Sequence, residues 1–179
     1  MSKQYVTETQ FQRLFVALWP EDEVRTKLAD KQLELKLGDY GRLIPAANLH
    51  ITLLFLGDVQ LSEIPEIEGF VKSIELTPFS FSISKIGFWP HNKIVWAGPE
   101  DTKAELEDLS NQIQTGLKRY VSDRRKFTPH VTLARKVRRR VQCALTPIEW
   151  QVGKVYLVRS VLSHKGAQYK LIASSGGSG

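Results

Sequence analysis

Two stretches of this chain repeat one pattern: NLHITLLFLG at residues 48–57 and FTPHVTLAR at residues 127–135. Each stretch contains His-x-Thr-Leu, and His130 lies 80 residues after His50 in a chain of 179 residues. The apolar residues that follow each histidine favour a strand. A motif that recurs after nearly half the chain predicts two related lobes, each presenting one copy of the same short strand.

Within each predicted strand, the histidine and the threonine lie on the same face, because side chains alternate along a strand. His50 therefore accompanies Thr52, and His130 accompanies Thr132. The residues between them point the opposite way, toward a core. If the two strands meet side by side, the sequence predicts a cleft that contains two imidazoles and two hydroxyls.

These four groups suit in-line displacement at a phosphorus atom. Because an imidazole titrates near neutral pH, one histidine can take a proton from the attacking oxygen while the other protonates the leaving oxygen. The threonine hydroxyls can donate hydrogen bonds to the non-bridging phosphoryl oxygens, whose charge is stabilised in the transition state. This chemistry requires neither a metal nor a cofactor, and the spacing alone does not say which histidine is the acid.

The motif residues also have purely structural interpretations. Histidines often lie half-buried with satisfied hydrogen bonds, and threonine is favoured in strands whatever its chemistry. A metal site at His50 and His130 is a further alternative, but no acidic or cysteine ligand has a suitable local spacing. His91 and His164 lack a threonine two residues later, which favours surface roles for both.

Strand-like and helix-like segments alternate around the two motifs. Alternation and apolar runs predict strands over residues 13–19, 49–56, 79–84, 93–97, 130–134, 151–163 and 168–172. Helices are predicted over residues 20–35 and 62–73. A third helix is predicted by apolar residues at helical spacing from Leu106 to Tyr120, with Asp101 or Thr102 as its cap.

Composition and charge narrow the class of protein. The chain is 42% hydrophobic and 25% charged, which is typical of a soluble globular protein and excludes a disordered or collagen-like chain. Its single cysteine, Cys143, cannot form an internal disulfide, which predicts a reducing, cytoplasmic setting. No apolar run approaches the roughly 20 residues that a membrane span needs. The net charge of +6 favours an anionic partner such as nucleic acid.

At its two motifs, the sequence resembles the 2H phosphoesterase superfamily, and within it the RNA 2′,3′-cyclic phosphodiesterases, which are also known as 2′-5′ RNA ligases. Residues 13–18 (RLFVAL) also resemble the start of that family. The resemblance implies an α+β fold that is bilobal, with two pseudo-two-fold-related lobes of antiparallel sheet and outer helices around a central cleft. We expect one such domain over residues 1–173, followed by a linker from Ser174 to Gly179.

The resemblance also implies an activity and roles for the motif residues. The activity is metal-independent hydrolysis of RNA 2′,3′-cyclic phosphate ends to 2′-phosphates, with 2′-5′ RNA ligation as the reverse reaction. By the family's pattern, His50 is the proton donor and His130 the proton acceptor, while Thr52 and Thr132 bind the phosphate. The expected partners are RNAs with a cyclic phosphate end, tRNA fragments among them, with no metal, no membrane and a monomeric protein.

Phe55 and Arg135 each lie five residues after a motif histidine and correspond to nucleotide-binding positions of the family. Stacking of Phe55 on a base and pairing of Arg135 with a phosphate are chemically reasonable. Strand alternation places an offset of five on the face opposite the histidine, so a bulge or the strand end must rotate both side chains back. Without that rotation, Phe55 is a core aromatic residue.

Two basic runs flank the second motif: Arg124, Arg125 and Lys126, and then Arg135, Lys136, Arg138, Arg139 and Arg140. Charge runs are usually solvated, but these lie close in sequence to the predicted cleft and are expected to contact the RNA backbone. Two alternatives stay open. The chain is a 2H enzyme for another cyclic phosphate or for a 2′-5′ oligonucleotide, or it is a non-catalytic RNA-binding module whose histidines only hold the fold.

Overall fold

The structure, a computed structural model, describes residues 10–121, 126–163 and 166–176. Within these ranges the chain forms three α-helices: α1 (Asp22–Glu34), α2 (Ile64–Lys72) and α3 (Ala104–Gly116). The same ranges contain ten strands: β1 (Phe11–Leu18), β2 (Arg42–Leu43), β3 (Ile51–Gln60), β4 (Phe79–Ile83), β5 (Lys85–Trp89), β6 (Ile94–Gly98), β7 (Val131–Arg135), β8 (Ile148–Val152), β9 (Tyr156–Ser163) and β10 (Gly166–Ser174).

The strands form one large antiparallel sheet and one small one. In the large sheet the strand order is β10-β9-β1-β3-β7-β6-β5, and the short strand β2 lies beside β7. Strand β4 pairs with β8 in a separate two-stranded sheet. The first lobe contains β10, β9, β1 and β3, and the second contains β7, β6, β5 and β2. The predicted α+β fold with two lobes of antiparallel sheet is therefore confirmed.

The two lobes meet where β3 lies against β7. Within the described residues, the register between these strands consists of one antiparallel pair, Ile51 with Val131, and both side chains are fully buried. The ladder does not continue on either side of this pair. The strands therefore separate there, and a cleft opens between the lobes.

The helices cover the face of the sheet opposite the cleft. Helix α2 packs on β9 and β10, and α3 packs on β3. Helix α1 follows β1 of the first lobe but packs on β7 and β8, so it holds the two lobes together. Leu14 and Val16 of β1 belong to the core beneath the helices, whereas Phe15 and Ala17 point to the cleft side. None of the described helices is long and apolar enough to cross a lipid bilayer.

The prediction of one strand over residues 151–163 is wrong. Two strands occupy this region, because Trp150 and Val152 of β8 are buried beside β4 while β9 pairs with β1. Strand β5 was not anticipated because Gly87 interrupts its apolar alternation. A Cβ atom at Gly87 would lie 2.2 Å from Cζ2 of Trp96, so the close approach of that indole requires a glycine.

The helix boundaries also differ in detail from the prediction. Helix α1 begins at Asp22 with Glu21 as its N-cap residue, two residues after the predicted start. The N-cap residue of α3 is Lys103 rather than Asp101 or Thr102, and it makes no side-chain capping hydrogen bond. Helix α3 ends at Gly116, and the predicted periodicity continues to Tyr120 through a 3-10 turn.

The fold continues beyond the predicted domain end at residue 173. Strand β10 includes Ser174, and Ser175 is buried. The Val155 N–H donates to the Ser175 hydroxyl at 3.0 Å, and the Ser175 N–H donates to the Val155 carbonyl at 2.8 Å. Ser174 and Ser175, which the sequence analysis assigns to the linker, are therefore part of the packed chain, because backbone pairing outweighs their polar composition. Residues 177–179 lie outside the described residues.

Candidate active site

The backbone pair of Ile51 with Val131, which joins the lobes, also fixes the positions of the four motif side chains. Because β3 and β7 run antiparallel through Ile51 and Val131, His50 lies toward Thr132 and Thr52 toward His130. All four side chains are on the face opposite Ile51 and Val131, and they line one cavity of about 170 Å³. The structure thus brings both predicted motifs into a single cleft.

The two imidazoles are held in the same way. Nδ1 of His50 lies 2.7 Å from the Asn48 carbonyl oxygen, and Nδ1 of His130 lies 2.8 Å from the Thr128 carbonyl oxygen. Because a carbonyl oxygen only accepts, each Nδ1 carries the proton and donates it. Nε2 is therefore the nitrogen that can exchange a proton with a substrate. In the free protein the Thr52 hydroxyl donates to Nε2 of His50 at 3.1 Å.

Each motif strand contains a β-bulge at the leucine that follows the threonine. In β3 the register with β1 passes from Thr52 to Leu54 and skips Leu53. In β7 the register with β6 passes from Thr132 to Ala134 and skips Leu133. An extra residue reverses the alternation of side chains beyond it. The repeat in the sequence is therefore matched by a repeated irregularity in the backbone.

These bulges rotate Phe55 and Arg135 onto the histidine face. Both side chains line the same cavity as His50 and His130. Strict alternation along the strand would place them on the opposite face. Phe55 is 56% exposed, so it is not a core residue. The rotation that the sequence analysis requires for both residues thus has a physical cause, and their roles in nucleotide binding stay predictions.

Aromatic rings surround both histidines, and the sequence analysis missed them. The Trp19 indole stacks on the His50 ring at 5.1 Å between centroids with an interplanar angle of 3°. Phe15 and Tyr169 also contact the His50 ring, at 5.0 Å and 5.3 Å. Trp89 meets the His130 ring edge-on at 4.6 Å. One signal was available, because Trp19 follows β1 directly, Trp89 ends β5, and each tryptophan precedes a proline.

Comparison with known proteins places the chain in a family. A profile of the 2′-5′ RNA ligase superfamily matches residues 20–163, which include both motifs. The chain is 32% identical over 170 residues to the RNA 2′,3′-cyclic phosphodiesterase of Archaeoglobus fulgidus, a match that covers 88% of this chain and 96% of that protein. The chain belongs to the 2′-5′ RNA ligase superfamily.

Solved structures agree with membership of the 2′-5′ RNA ligase superfamily. The crystal structure of Escherichia coli LigT in apo form matches with a TM-score of 0.84 and 25% identity, over 93% of this chain and 97% of that chain. The structure of LigT complexed with 3′-AMP matches with a TM-score of 0.80 and 25% identity, over 92% and 96% of the two chains. The family predicted from the two motifs is thereby confirmed.

Burial lowers the pKa values of both motif histidines in this member of the 2′-5′ RNA ligase superfamily. Burial lowers the pKa of His50 from 6.5 to about 4, although the Asn48 carbonyl opposes part of that shift. The charges of His130 and Arg135 contribute to the same lowering of the His50 pKa. Burial also lowers the pKa of His130, opposed by the Thr128 carbonyl and aided by Arg135. Both imidazoles are therefore mainly neutral in the free protein at pH 7.

Residues of the basic run after the second motif have two different positions: some line the cleft, and Arg139 binds the end of helix α1. Arg135 and Lys136 line cavities of the cleft. The Arg139 guanidinium instead donates to the carbonyls of Leu35 and Lys36, at 3.0 Å and 2.7 Å, and so satisfies the C-terminal end of α1. Lys126 is exposed, while Arg124 and Arg125 lie outside the described residues, as does His164. Across the described ranges, no group of three or more His, Cys, Asp or Glu side chains is placed to hold a metal ion.

Proposed function

We propose that this protein is a metal-independent RNA 2′,3′-cyclic phosphodiesterase that converts cyclic phosphate ends to 2′-phosphates. The observation that carries the proposal is the cleft itself, where two imidazoles expose Nε2 toward one cavity with two threonine hydroxyls beside them. An acid and a base on the two sides of a phosphorus atom match in-line displacement. The Archaeoglobus fulgidus relative carries the name of this activity.

The proposed reaction balances with water as the only co-substrate. His130 takes a proton from water at Nε2 as the water oxygen attacks phosphorus. The bond between phosphorus and O3′ breaks, and protonated His50 gives its proton to O3′. The products are a 3′-hydroxyl and a 2′-phosphate. The assignment of acid and base follows the family resemblance, and a ribose hydroxyl in place of water gives the reverse 2′-5′ ligation.

The surrounding side chains supply binding and charge stabilisation. The hydroxyls of Thr52 and Thr132 donate to the non-bridging oxygens, which carry the charge that develops in the transition state. The Arg135 guanidinium attracts the phosphate, and the exposed ring of Phe55 offers a stacking surface for a base. The structurally similar LigT has been crystallised in complex with 3′-AMP, a nucleotide, which agrees with a nucleotide as ligand.

We also propose RNA ends with a cyclic phosphate, tRNA fragments among them, as the substrates of a monomeric protein in the cytoplasm. The positive net charge of +6 favours an anionic substrate, and the single cysteine suits a reducing compartment.

The proposal is tested with a short RNA that ends in a 2′,3′-cyclic phosphate, incubated with the protein and excess EDTA. We expect turnover that EDTA does not reduce, and a product whose phosphorus NMR signal is that of a 2′-phosphomonoester. A 3′-phosphate product, or turnover only of a 2′-5′ oligonucleotide, would identify a different enzyme of the superfamily. RNA binding with no turnover of any cyclic phosphate would identify a binding module.

The lowered histidine pKa values predict how the reaction depends on pH. The competent free protein carries one proton on the pair, with His50 protonated and His130 neutral. Because both pKa values lie below 6.5, raising the pH above 6.5 removes this proton from a growing share of molecules. We expect kcat/KM for a cyclic phosphate to fall about tenfold per pH unit in that range.

The pH profile of kcat provides the internal control. A bound phosphodiester anion stabilises an imidazolium, so the falling limb of kcat is expected at higher pH than that of kcat/KM. Initial rates at saturating and limiting substrate, measured from acidic to mildly alkaline pH, separate the two profiles. A kcat/KM that stays constant up to about pH 8 would contradict the assignment of buried, neutral histidines.

A further inference from the structure

Among the described residues, the side chains of Phe15, Trp19 and Tyr169 form an aromatic cage around the His50 ring. The Trp19 indole is parallel to the imidazole within 3°, at 5.1 Å between centroids, which is the geometry of an offset stack. The Tyr169 ring is nearly perpendicular to both, at 88° to the imidazole and 89° to the indole. Phe15 contacts the imidazole at 5.0 Å. The cage therefore surrounds His50 with rings in several orientations.

The position of Trp19 follows from strand pairing and from the proline after it. Strand β1 pairs with β3 as far as Leu18 opposite Ile51, so Trp19 and His50, one residue beyond on each strand, are neighbours. Because side chains alternate, Trp19 points away from the core that contains Leu18 and toward the His50 side. The residue before a proline is restricted to extended backbone, and Pro20 is buried. The indole is therefore held beside the imidazole.

Trp19 can influence the reaction only through His50. The indole does not line the histidine cavity, whereas the His50 ring does. Nδ1 of His50 donates to the Asn48 carbonyl at 2.7 Å, and the indole covers a face of the same ring. Rotation of the imidazole about its Cβ–Cγ bond would break both interactions. Together they direct Nε2 toward the cavity.

The surroundings of His50 offer little other support for a positive charge. Titratable or charged side chains from the neighbouring strands lie around the ring and its cage, and none of those described is a carboxylate: His130 and Arg135 of β7, Tyr156 of β9 and Tyr169 of β10. The partner of Nδ1 is a neutral carbonyl oxygen. An indole face carries negative potential and attracts a cation within about 6 Å of its centroid. The stacked Trp19 ring meets this condition.

We propose that Trp19 is a positioning residue of the reaction: its indole face fixes the His50 ring and stabilises the imidazolium that donates a proton to O3′. The inference rests on the proposed function and adds to it a residue that lies in neither motif. The described aromatic contact of His130 is edge-on, from Trp89, and is not a stack. That difference suits a histidine that is neutral before it accepts a proton.

Two substitutions of similar size separate the aromatic face of Trp19 from its bulk. Trp19→Leu removes the face, and we expect it to lower kcat for a 2′,3′-cyclic phosphate about tenfold at pH 7 while KM changes little. Because the imidazolium loses stabilisation, the falling limb of kcat should move about one pH unit lower, which corresponds to a tenfold change in the protonated fraction. Trp19→Phe keeps a face and should recover most of both losses.

Fluorinated tryptophans at position 19 test the same point without a change of shape. Each added fluorine weakens the negative potential of the indole face and leaves the stack in place. We expect the falling limb of kcat to move to lower pH as the number of fluorine atoms rises. This series decides the matter even if Trp19→Leu does not fold, which thermal melting will show.

Phe11→Leu is the matched control. Phe11 is an aromatic residue of the same strand, is 48% exposed and does not line the histidine cavity, so its loss should leave kcat and the pH profile unchanged. Equal kcat and equal pH profiles for Trp19→Leu and Trp19→Phe, together with no effect of fluorination, would overturn the inference and leave the proposed function standing. A falling limb that moves to higher pH in Trp19→Leu would also overturn it, because burial by the indole would then outweigh its face. If the wild-type protein hydrolyses no 2′,3′-cyclic phosphate, the proposed function itself fails.

Discussion

Replacement of His50 by alanine is expected to lower kcat/KM for an RNA 2′,3′-cyclic phosphate by about 10²–10⁴-fold, and His130→Ala by a similar factor. Each substitution removes one of the two groups that carry protons in the proposed step. The double variant is expected to lose little more than either single variant, because the two histidines act in one transition state. Steady-state rates on a defined oligonucleotide that ends in a 2′,3′-cyclic phosphate measure the losses in all three variants.

His91→Ala is the matched control for these substitutions. His91 is exposed in the turn after β5 and does not line the cleft, so its loss should leave the rates unchanged. RNA affinity of the double variant separates catalysis from binding, and we expect that affinity to change far less than the rate. If either single variant kept more than about a tenth of the wild-type rate, paired acid–base catalysis would be the wrong mechanism.

The second large effect is expected at the two threonines. Thr52→Val and Thr132→Val keep the shape of the side chain and remove the hydroxyl that donates to a non-bridging oxygen. Removal of one such donor costs about 10²–10³-fold in kcat. We expect the loss to appear mainly in kcat and less in KM, because the oxygen charge grows on the way to the transition state.

Serine substitutions at the same two positions separate the effect of the hydroxyl on the rate from the effect of side-chain packing. Thr52→Ser and Thr132→Ser keep the hydroxyl and delete only a methyl group, so they should restore most of the rate lost in the valine variants. Equal losses in the serine and valine variants would mean that packing, and not hydrogen bonding to phosphate, explains the effect. Thr52→Val also removes the hydrogen bond to Nε2 of His50, so a shift in its pH profile is expected.

Much of the site was predictable because it depends on local order. His50 and Thr52 share a face by strand alternation, and the second motif repeats this arrangement with His130 and Thr132. Neither these pairings nor the family needed any knowledge of packing, whereas the cleft forms only because β3 and β7 meet at Ile51 and Val131. Helix α3 was found by its apolar periodicity, although its N-cap residue, Lys103, was missed because it forms no side-chain capping hydrogen bond.

The rest was not predictable because it depends on residues that are distant in sequence. The bulges at Leu53 and Leu133 are defined only against β1 and β6, which supply the register that each bulge interrupts. The contact of Tyr169 with His50 needs β10, β9 and β1 to lie side by side, and no motif in the sequence marks it. Strand β8 was merged with β9 because both are apolar, and only their different partners separate them.

The repeated strand motif was enough to predict two imidazoles and two hydroxyls that share faces in pairs, in a chain of positive net charge. Alternation along a strand is a property of the backbone, so these pairings hold in any fold that makes the motifs strands. The surroundings of these groups depend on packing: the indole stacked on His50, the rotation of Phe55 and Arg135, and the place of Lys136 beside the cleft. Desolvation and charge depend on every neighbouring atom, and the chain assembles those neighbours only by folding.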